Sequence, residues 1–425
     1  MTVAVRPAAI AGALKPPLPA GRPLRVALVT ETYPPEVNGV AATIARVVDG
    51  LQSQGHALTL VRPRQEANGE ARLDINPVWP QGPTLGAIEH VLVHGLQMPR
   101  YPQLQMGLPC KRRLLRLWSK QRPDVVHVVT EGPLGLSALH AALQLRLPVV
   151  SDYRTNFHAY SGHYGVGWLQ APVRAYLRWF HNRAARTMVP TESLRSELAA
   201  AGFKRLAVVA RGVDTKLFDP ARRSDALRAS WGAGPKTMVA ISVGRLAPEK
   251  NLGTVLAAFE TMRADCSEMR LVFVGEGPEA ARLKERCPHA VHAGLRRGEA
   301  LAAHYASADV FLFPSLTETW GNVVPEDMAS GLAVVAYDCA AAGQLIRHGD
   351  NGLLARAGDN SAFRAMARRL AGDAAQARAL GAAARSSAGR LDWTRIVEAV
   401  ENEYEAAISA AASLHGAWPP PLTAA

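Results

Sequence analysis

The chain has 425 residues, 48% hydrophobic and 20% charged, a globular balance with room for two or three domains. No apolar run approaches the ~20 residues of a membrane span. The four cysteines (Cys110, Cys266, Cys287, Cys339) lack disulfide or metal spacing, which argues against a disulfide scaffold and for a reducing compartment. The net charge of +12 is uneven: residues 1–200 hold 22 Lys/Arg against 12 Asp/Glu, and the remainder 26 against 24. Two readings of this excess stay open, an anionic partner for the N-terminal half and a merely Arg-rich composition.

In chain order, residues 1–23 read as a disordered lead-in, or as a leader removed by processing. "LRVALVT" (24–30) is a near-continuous apolar run, as a buried parallel strand should be. "GVAATIARVVDGLQSQGH" follows with helical periodicity, and Asn38 stands where a cap is needed. "ALTLVRP", "PDVVHVVT" (123–130), "LPVVSDY" (147–153), "ARTMVP" (185–190) and "LAVVA" (206–210) repeat the strand signature between helical stretches. Such a βαβ series predicts a parallel, doubly wound sheet over residues 24–212.

A polar, turn-rich stretch, 213–235, reads as a linker. The strand–helix alternation then restarts over 236–390, with "KTMVAISVGRL" (236–246), "MRLVFVGEGP" (269–278), "ADVFLFPS" (308–315) and "LAVVAYD" (332–338) as strands. Residues 391–425 give a closing helix, expected to pack back on the first domain, and a loose Pro-rich tail. The fold class is therefore α/β, two Rossmann-like domains facing a central cleft. Ligands of such sheets bind outside the strand C-termini.

Two glutamates, Glu318 and Glu326, lie in "TETWGNVVPEDMASGLAVVAYD" (317–338). On one helix, residues eight apart would sit ~12 Å apart along the axis and about 80° around it, too far to grip one atom. Gly321-Asn322 reads instead as a loop entering a helix, so the two can touch different parts of one extended ligand. Arg245 and Lys250 of "GRLAPEK" follow a strand end, where they can hold phosphate oxygens.

The set "VGRLAPEKN" (243–251), "VFVGEGPE" (272–279), "YASADVFLFPSLTETWGNVVPEDMASGLAVVA" (305–336) and "NGLL" (351–354) resembles the family 4 glycosyltransferases of GT-B fold. "VTETYPPEVNGVAATI" (29–44), "PDVVHVVTEGPLGLSAL" (123–139) and "SDYRTNFHAYSGHYG" (151–165) resemble the branch of GDP-mannose-dependent α-mannosyltransferases of glycolipid synthesis. The resemblance implies retaining transfer of a hexose, with GDP-mannose as expected donor and a lipid-linked or glycan acceptor. A UDP-sugar donor (sulfoquinovosyl or glucosyl transfer) and a non-catalytic nucleotide-sugar-binding protein are the alternatives. A glycosidase using both glutamates as an acid/base pair is disfavoured by the Arg245/Lys250 phosphate site.

The resemblance further implies a catalytic set of Arg245, Lys250 and Glu318. Glu318 would hold hydroxyls of the transferred sugar and Glu326 the ribose. Trp320, Gly321 and Asn322 would offer backbone N–H groups at a helix end, and Gly39 would let backbone amides reach the diphosphate. Many relatives carry a His after the strand matching "LPVVSDY"; here Arg154 stands in its place and His158 lies four residues on. Glu131, Arg154 and His158 are thus the candidates for acceptor or sugar contacts. His127 reads as a packed sheet residue. No metal and no separate cofactor are expected, the nucleotide-sugar being a co-substrate, and no nucleic-acid partner. Two basic segments with interleaved aromatics, 109–123 and 171–187, raise an anionic membrane surface as a partner, or ordinary helices with a solvated basic face. The expected location is cytoplasmic, peripheral on the inner membrane face.

Overall fold

The computed structural model describes residues 22–36, 38–64, 88–98, 101–154 and 170–413. The expectations for residues 1–21, for His158 and for the tail from 414 onward lie outside the described residues.

The first domain is a seven-stranded parallel sheet. Its strands are β1 (Arg25–Val29), β2 (Ala57–Pro63), β3 (Ile88–Val93), β6 (Val125–Val128), β7 (Val149–Asp152), β8 (Arg186–Val189) and β9 (Leu206–Val208), in the spatial order β3-β2-β1-β6-β7-β8-β9. A small antiparallel pair, β4 (Gly95–Met98) and β5 (Tyr101–Gly107), stands beside it. The second domain is a six-stranded parallel sheet of β10 (Val239–Val243), β11 (Arg270–Val274), β12 (Val291–Gly294), β13 (Val310–Phe313), β14 (Ala333–Tyr337) and β15 (Leu353–Ala355), in the order β12-β11-β10-β13-β14-β15.

Both sheets reverse direction at their first strand. β1 lies between β2 and β6, and β10 between β11 and β13. At such a reversal the flanking helices splay to opposite faces and leave a crevice above the strand ends. The apolar strands explain why both faces are covered: β10 reads VAISV and β11 RLVFV, with helices on either side. Ala240, Leu271 and Phe273 pack on the helices Leu252–Asp265 and Asn360–Ala371. Val239, Ile241 and Val243 pack on the opposite face with residues of the helices Gly298–Ala306, Val323–Ala329 and Ala374–Ala388.

Two features differ from or extend the sequence reading. The stretch 213–235 is not a free linker. It carries the helix Asp225–Ser230 and buries Val213, Phe218 and Trp231 in the second domain's core. Arg228, 2% exposed, ties it down by donating to the Ser307 carbonyl at 2.7 Å and the Gly234 carbonyl at 3.1 Å. Apolar residues so widely spaced carry no period, so they looked like loop. The helix Trp393–Ser413 crosses back to the first domain, where Val397, Val400, Tyr404 and Ala407 join Val47, Val48 and Leu51 in one cluster. Burying side chains of this size contributes about 1.5–3 kcal/mol each.

Candidate active site

The loops after β10 and β13 meet at the second sheet's reversal point. The β10 loop runs through Arg245 into the 3-10 turn Pro248–Lys250; the β13 loop carries Glu318 and enters the helix Val323–Ala329. Their side chains join: Lys250 Nζ donates to Glu318 Oε1, and Ser315 Oγ donates to the same oxygen at 2.8 Å. Burial alone would raise the Glu318 carboxyl. Lys250, Ser315 and Arg211 more than offset it and hold the group below the usual carboxylate range. Lys250 also lies 5.8 Å from the centre of the Phe313 ring.

Arg245 is the more open cation, 43% exposed, and pairs with the buried Glu249 at 3.3 Å. The "VGEGPE" turn supports this loop rather than reaching past it: Leu246 N–H donates to the Glu276 carbonyl and Glu279 N–H to the Leu246 carbonyl, both at 2.9 Å. The sequence alone did not single out Glu249, because an acidic residue in a loop looks solvated by default.

Gly321, at φ +89°, turns the chain from the Glu318 loop into the helix. A side chain there would be strained, and a built Cβ lies 3.4 Å from Glu318 Cγ. The Trp320 ring is 1% exposed in the core, so only its backbone is left for a ligand. Glu326 stands in the first turn of the helix, away from Lys250, and accepts from the Tyr305 hydroxyl at 3.1 Å. Burial raises its carboxyl to about 7, against the lowering effect of Tyr305. The two glutamates are thus in different settings, one ionised and ion-paired, the other poised near neutrality.

Across the cleft, Asn38 Oδ1 accepts from the N–H groups of Val40 and Ala41 at 3.0 and 2.8 Å, capping the helix Gly39–Ser53. Asn322 Nδ2 donates to the Gly39 carbonyl at 3.4 Å, and a Cβ on Gly39 would lie 3.3 Å from that nitrogen. Gly39 is therefore one point at which the two domains touch. Thr319 Oγ1 donates to the Arg154 carbonyl at 2.8 Å, a second bridge.

The acceptor-side candidates separate. Arg154 faces the cleft and is clamped by Asp152, with Nε at 2.6 Å and Nη2 at 2.5 Å from Oδ2. The buried Asp152 also pairs with His127 Nε2 at 2.9 Å, and His127 Nδ1 meets the Tyr404 hydroxyl at 2.8 Å. Burial would raise Asp152, but Arg154 and His127 hold it down at about 2. Glu131, expected to meet acceptor hydroxyls, does not face the cleft. It is 5% exposed, its carboxylate pairs with His181 Nε2 at 3.2 Å, and its carbonyl accepts from Tyr176 at 2.5 Å. Nothing in the sequence told it apart from Glu31, at the end of β1, whose Oε1 accepts from the Leu134 N–H at 2.9 Å. Burial raises the Glu31 carboxyl to about 7.

The basic segments are packed helices. Leu114, Leu117 and Trp118 of the helix Lys111–Lys120 are buried in the first core, as is Phe180 of the helix Gln170–His181. Lys111, Arg112, Arg116 and Lys120 point to solvent.

Comparison with known proteins gives matches along most of the chain. The model of Glycosyltransferase Family 4 matches residues 37–217, and that of Glycosyl transferases group 1 matches residues 237–373. A GDP-mannose-dependent alpha-mannosyltransferase of Mycobacterium tuberculosis is 36% identical, covering 79% of this chain and 85% of that protein. One of the same description from Mycolicibacterium smegmatis is 34% identical, covering 91% and 98%. The sulfoquinovosyl transferase of Arabidopsis thaliana is 32% identical over 73% of this chain and 62% of its own length. Among solved structures, a sucrose-phosphate synthase of Thermosynechococcus elongatus superposes with a TM-score of 0.67 at 18% identity, over 91% of this chain and all of that one. The Anabaena protein HepE in complex with UDP and glucose does so with 0.67 at 16%, over 89% and 99%. The two facing parallel-sheet domains are the GT-B fold.

Proposed function

The chain belongs to glycosyltransferase family 4, and we propose that it moves mannose from GDP-mannose to a lipid-linked or glycan acceptor, with retention at the anomeric carbon. The mannosyltransferase relatives support the donor. The observation that carries the chemistry is the Lys250–Glu318 pair beside Arg245 at the sheet's reversal point.

In this reading Arg245 and Lys250 hold the diphosphate. As the bond between the anomeric carbon and the phosphate oxygen breaks, negative charge grows on that oxygen, and prepositioned cations stabilise the transition state more than the ground state. Glu318, kept ionised by Lys250, accepts from sugar hydroxyls and orients the ring. Glu326 accepts from the ribose hydroxyls. The acceptor hydroxyl attacks from the face the phosphate leaves, and the departing phosphate oxygen takes its proton. Arg154, held by Asp152, adds positive charge near the transferred sugar.

The acceptor side would rest against an anionic membrane surface on the cytoplasmic side. Its apolar helix residues are spent on the core, so the attraction is electrostatic, through Lys111, Arg112, Arg116 and Lys120. Leu96 and Leu108, 54% and 37% exposed on the same domain, supply a small apolar contact. No helix among the described residues is long and apolar enough to cross a membrane.

Thermal shift and calorimetry with GDP, UDP and ADP, followed by turnover of GDP-mannose with membrane lipid extracts, test the donor and the transfer. GDP should bind tightest; a UDP preference would move the assignment toward the sulfoquinovosyl relatives. Sedimentation with anionic but not zwitterionic vesicles at low salt tests the membrane contact.

A further inference from the structure

Glu31 stands at the C-terminal end of β1, the strand at which the first sheet reverses. It opens the loop that closes at Asn38 and Gly39, against Asn322 of the second domain. Within that loop Asn38 Nδ2 donates to Thr32 Oγ1 at 2.6 Å, and Thr32 Oγ1 donates to Glu36. Glu31 is partly exposed. Its Oε1 accepts from the Leu134 N–H, in the first turn of the helix Pro133–Gln144. Its Oε2 has no hydrogen-bond partner among the described residues. The carboxylate lies directly on Gly132, where a built Cβ would come within 2.1 Å of Oε2, so only a glycine leaves room for it.

Its surroundings set it apart from the other carboxylates at these strand ends. Glu131 is spent on His181, and Asp152 on Arg154 and His127. Among the described residues no cation lies within ion-pair distance of Glu31. The titratable groups that face it are Glu36 from its own loop, Glu131 from the loop after β6, and Tyr176 from the helix Gln170–His181. Burial raises the carboxyl to about 7; the Leu134 N–H opposes this, and Glu131 and Glu36 add to it. A carboxylate so placed gains most from a ligand that brings hydroxyl donors. The β4–β5 hairpin leads to the same spot. Gln105 N–H donates to Glu36 Oε1 at 3.4 Å, and Gly107 packs on Leu134, 2.8 Å from a built Cβ. The exposed Leu96 lies on this hairpin, and Leu108 follows it.

We propose that Glu31 is the acceptor-binding carboxylate of this enzyme: Oε1 stays on the Leu134 N–H, and Oε2 accepts from a hydroxyl of the polyol ring that receives the sugar. This rests on the mannosyl-transfer reading above, and it transfers to Glu31 the hydroxyl contact expected of Glu131. In that reading the donor is held by Arg245, Lys250, Glu318 and Glu326, all on the second domain. The acceptor ring then meets the first domain at its own reversal point, where Glu31 offers the open oxygen. The ring's lipid or glycan extension leaves along the β4–β5 hairpin. A fixed carboxylate at the ring orders the attacking hydroxyl against the anomeric carbon without contacting the donor.

The test uses the full-length protein with GDP-mannose and two acceptor probes, a membrane-lipid extract and methyl α-D-mannopyranoside. The probe that is glycosylated names the source of the polyol. Glu31→Gln keeps an oxygen for the Leu134 N–H and removes the charge. It should raise acceptor KM about tenfold or more, as expected for one charge-assisted bond, and leave GDP affinity and GDP-mannose KM within about twofold. At saturating GDP-mannose the wild-type acceptor KM should fall from pH 6 to 8, because the ionised form accepts better, and the variant should show a flat profile. A merely structural Glu31 would move Tm and neither of these readouts. An unchanged acceptor KM, an equal rise in both substrates' KM, or the same pH profile in the variant would overturn the proposal. If Glu31→Gln does not fold, Glu31→Asp carries the measurement: acceptor KM should rise several-fold with the pH dependence kept, and an unchanged KM overturns the assignment. A wild type that neither binds GDP nor consumes GDP-mannose with either probe would overturn the mannosyl-transfer reading instead, a result visible before any variant is made.

Discussion

The ammonium of Lys250 and the carboxylate of Glu318, 68 residues apart in the chain, form an ion pair between the loops that follow β10 and β13. In the proposed reading the first holds phosphate and the second sugar, and the ion pair already joins them without a ligand. Lys250→Ala and Glu318→Gln should each lower kcat with GDP-mannose by about 10²–10³-fold, the range for losing one preorganised charge. The double variant should lose far less than the product of the two, because the partner is already gone. Near-normal turnover in both single variants would remove the pair from the mechanism.

If Glu326 holds the ribose as proposed, donor binding should depend on pH. Burial raises its carboxyl to about 7, so it is mostly protonated at pH 6 and ionised at pH 8. Only the ionised form accepts fully from two ribose hydroxyls. GDP affinity should therefore rise from pH 6 to 8 with a midpoint near 7, and Glu326→Gln should flatten the profile. Calorimetric titrations across that range would show it; an unchanged slope in the variant would assign the dependence elsewhere.

Asp327 is fully buried beside Glu326, and neither carboxylate oxygen has a hydrogen-bond partner among the described residues. Burial, then Glu326, raises its pKa well above the usual carboxylate range. A raised folded-state pKa means that the unfolded chain binds fewer protons above about pH 4, so this group's contribution to stability falls as pH rises. Asp327→Ala should raise Tm, and by more at pH 8 than at pH 5. The gain corresponds to about 1–3 kcal/mol for an unpaired buried polar group, less the small cavity left behind. Melting curves at the two pH values decide it, and a lower Tm at both would show that the carboxyl has a stabilising role.

Gly39 is a close contact between the two domains. With the Asn322 amide 3.4 Å from the Gly39 carbonyl, a branched side chain at 39 holds the two apart. Gly39→Val should raise the donor KM about tenfold or more, as expected when one positioning contact is lost, with the melting temperature nearly kept. Small-angle scattering with GDP would show a smaller compaction than in the wild type.

The C-terminal helix reaches the site by way of His127. Tyr404→Phe leaves His127 Nδ1 without its 2.8 Å partner deep in the sheet. Loss of a buried hydrogen bond of this kind costs about 1–3 kcal/mol, so Tm should fall. Acceptor KM should change more than donor KM, because the imidazole holds Asp152 and Asp152 in turn holds Arg154. An equal effect on both substrates would mean that Tyr404 is only structural.

Much of this architecture was local enough to read in the sequence. Runs such as RVALV and VAISV specify buried parallel strands because both faces of the sheet are covered. Gly321-Asn322 signalled a loop entering a helix, and so put Glu318 and Glu326 in different local settings, as they are in the structure. Short edge strands such as β12 and β15, of four and three residues, carry too little pattern to be seen. What only the tertiary structure decided is which side chains meet. Strand order brings the β10 and β13 loops together and so joins Lys250 to Glu318. It turns Glu131 inward to His181, and buries Arg211 with its Nη2 unpartnered among the described residues. The segment 213–235 folds onto the second domain, and Tyr404 meets a histidine 277 residues earlier. Such pairings depend on long-range packing, and sequence spacing carries no record of it.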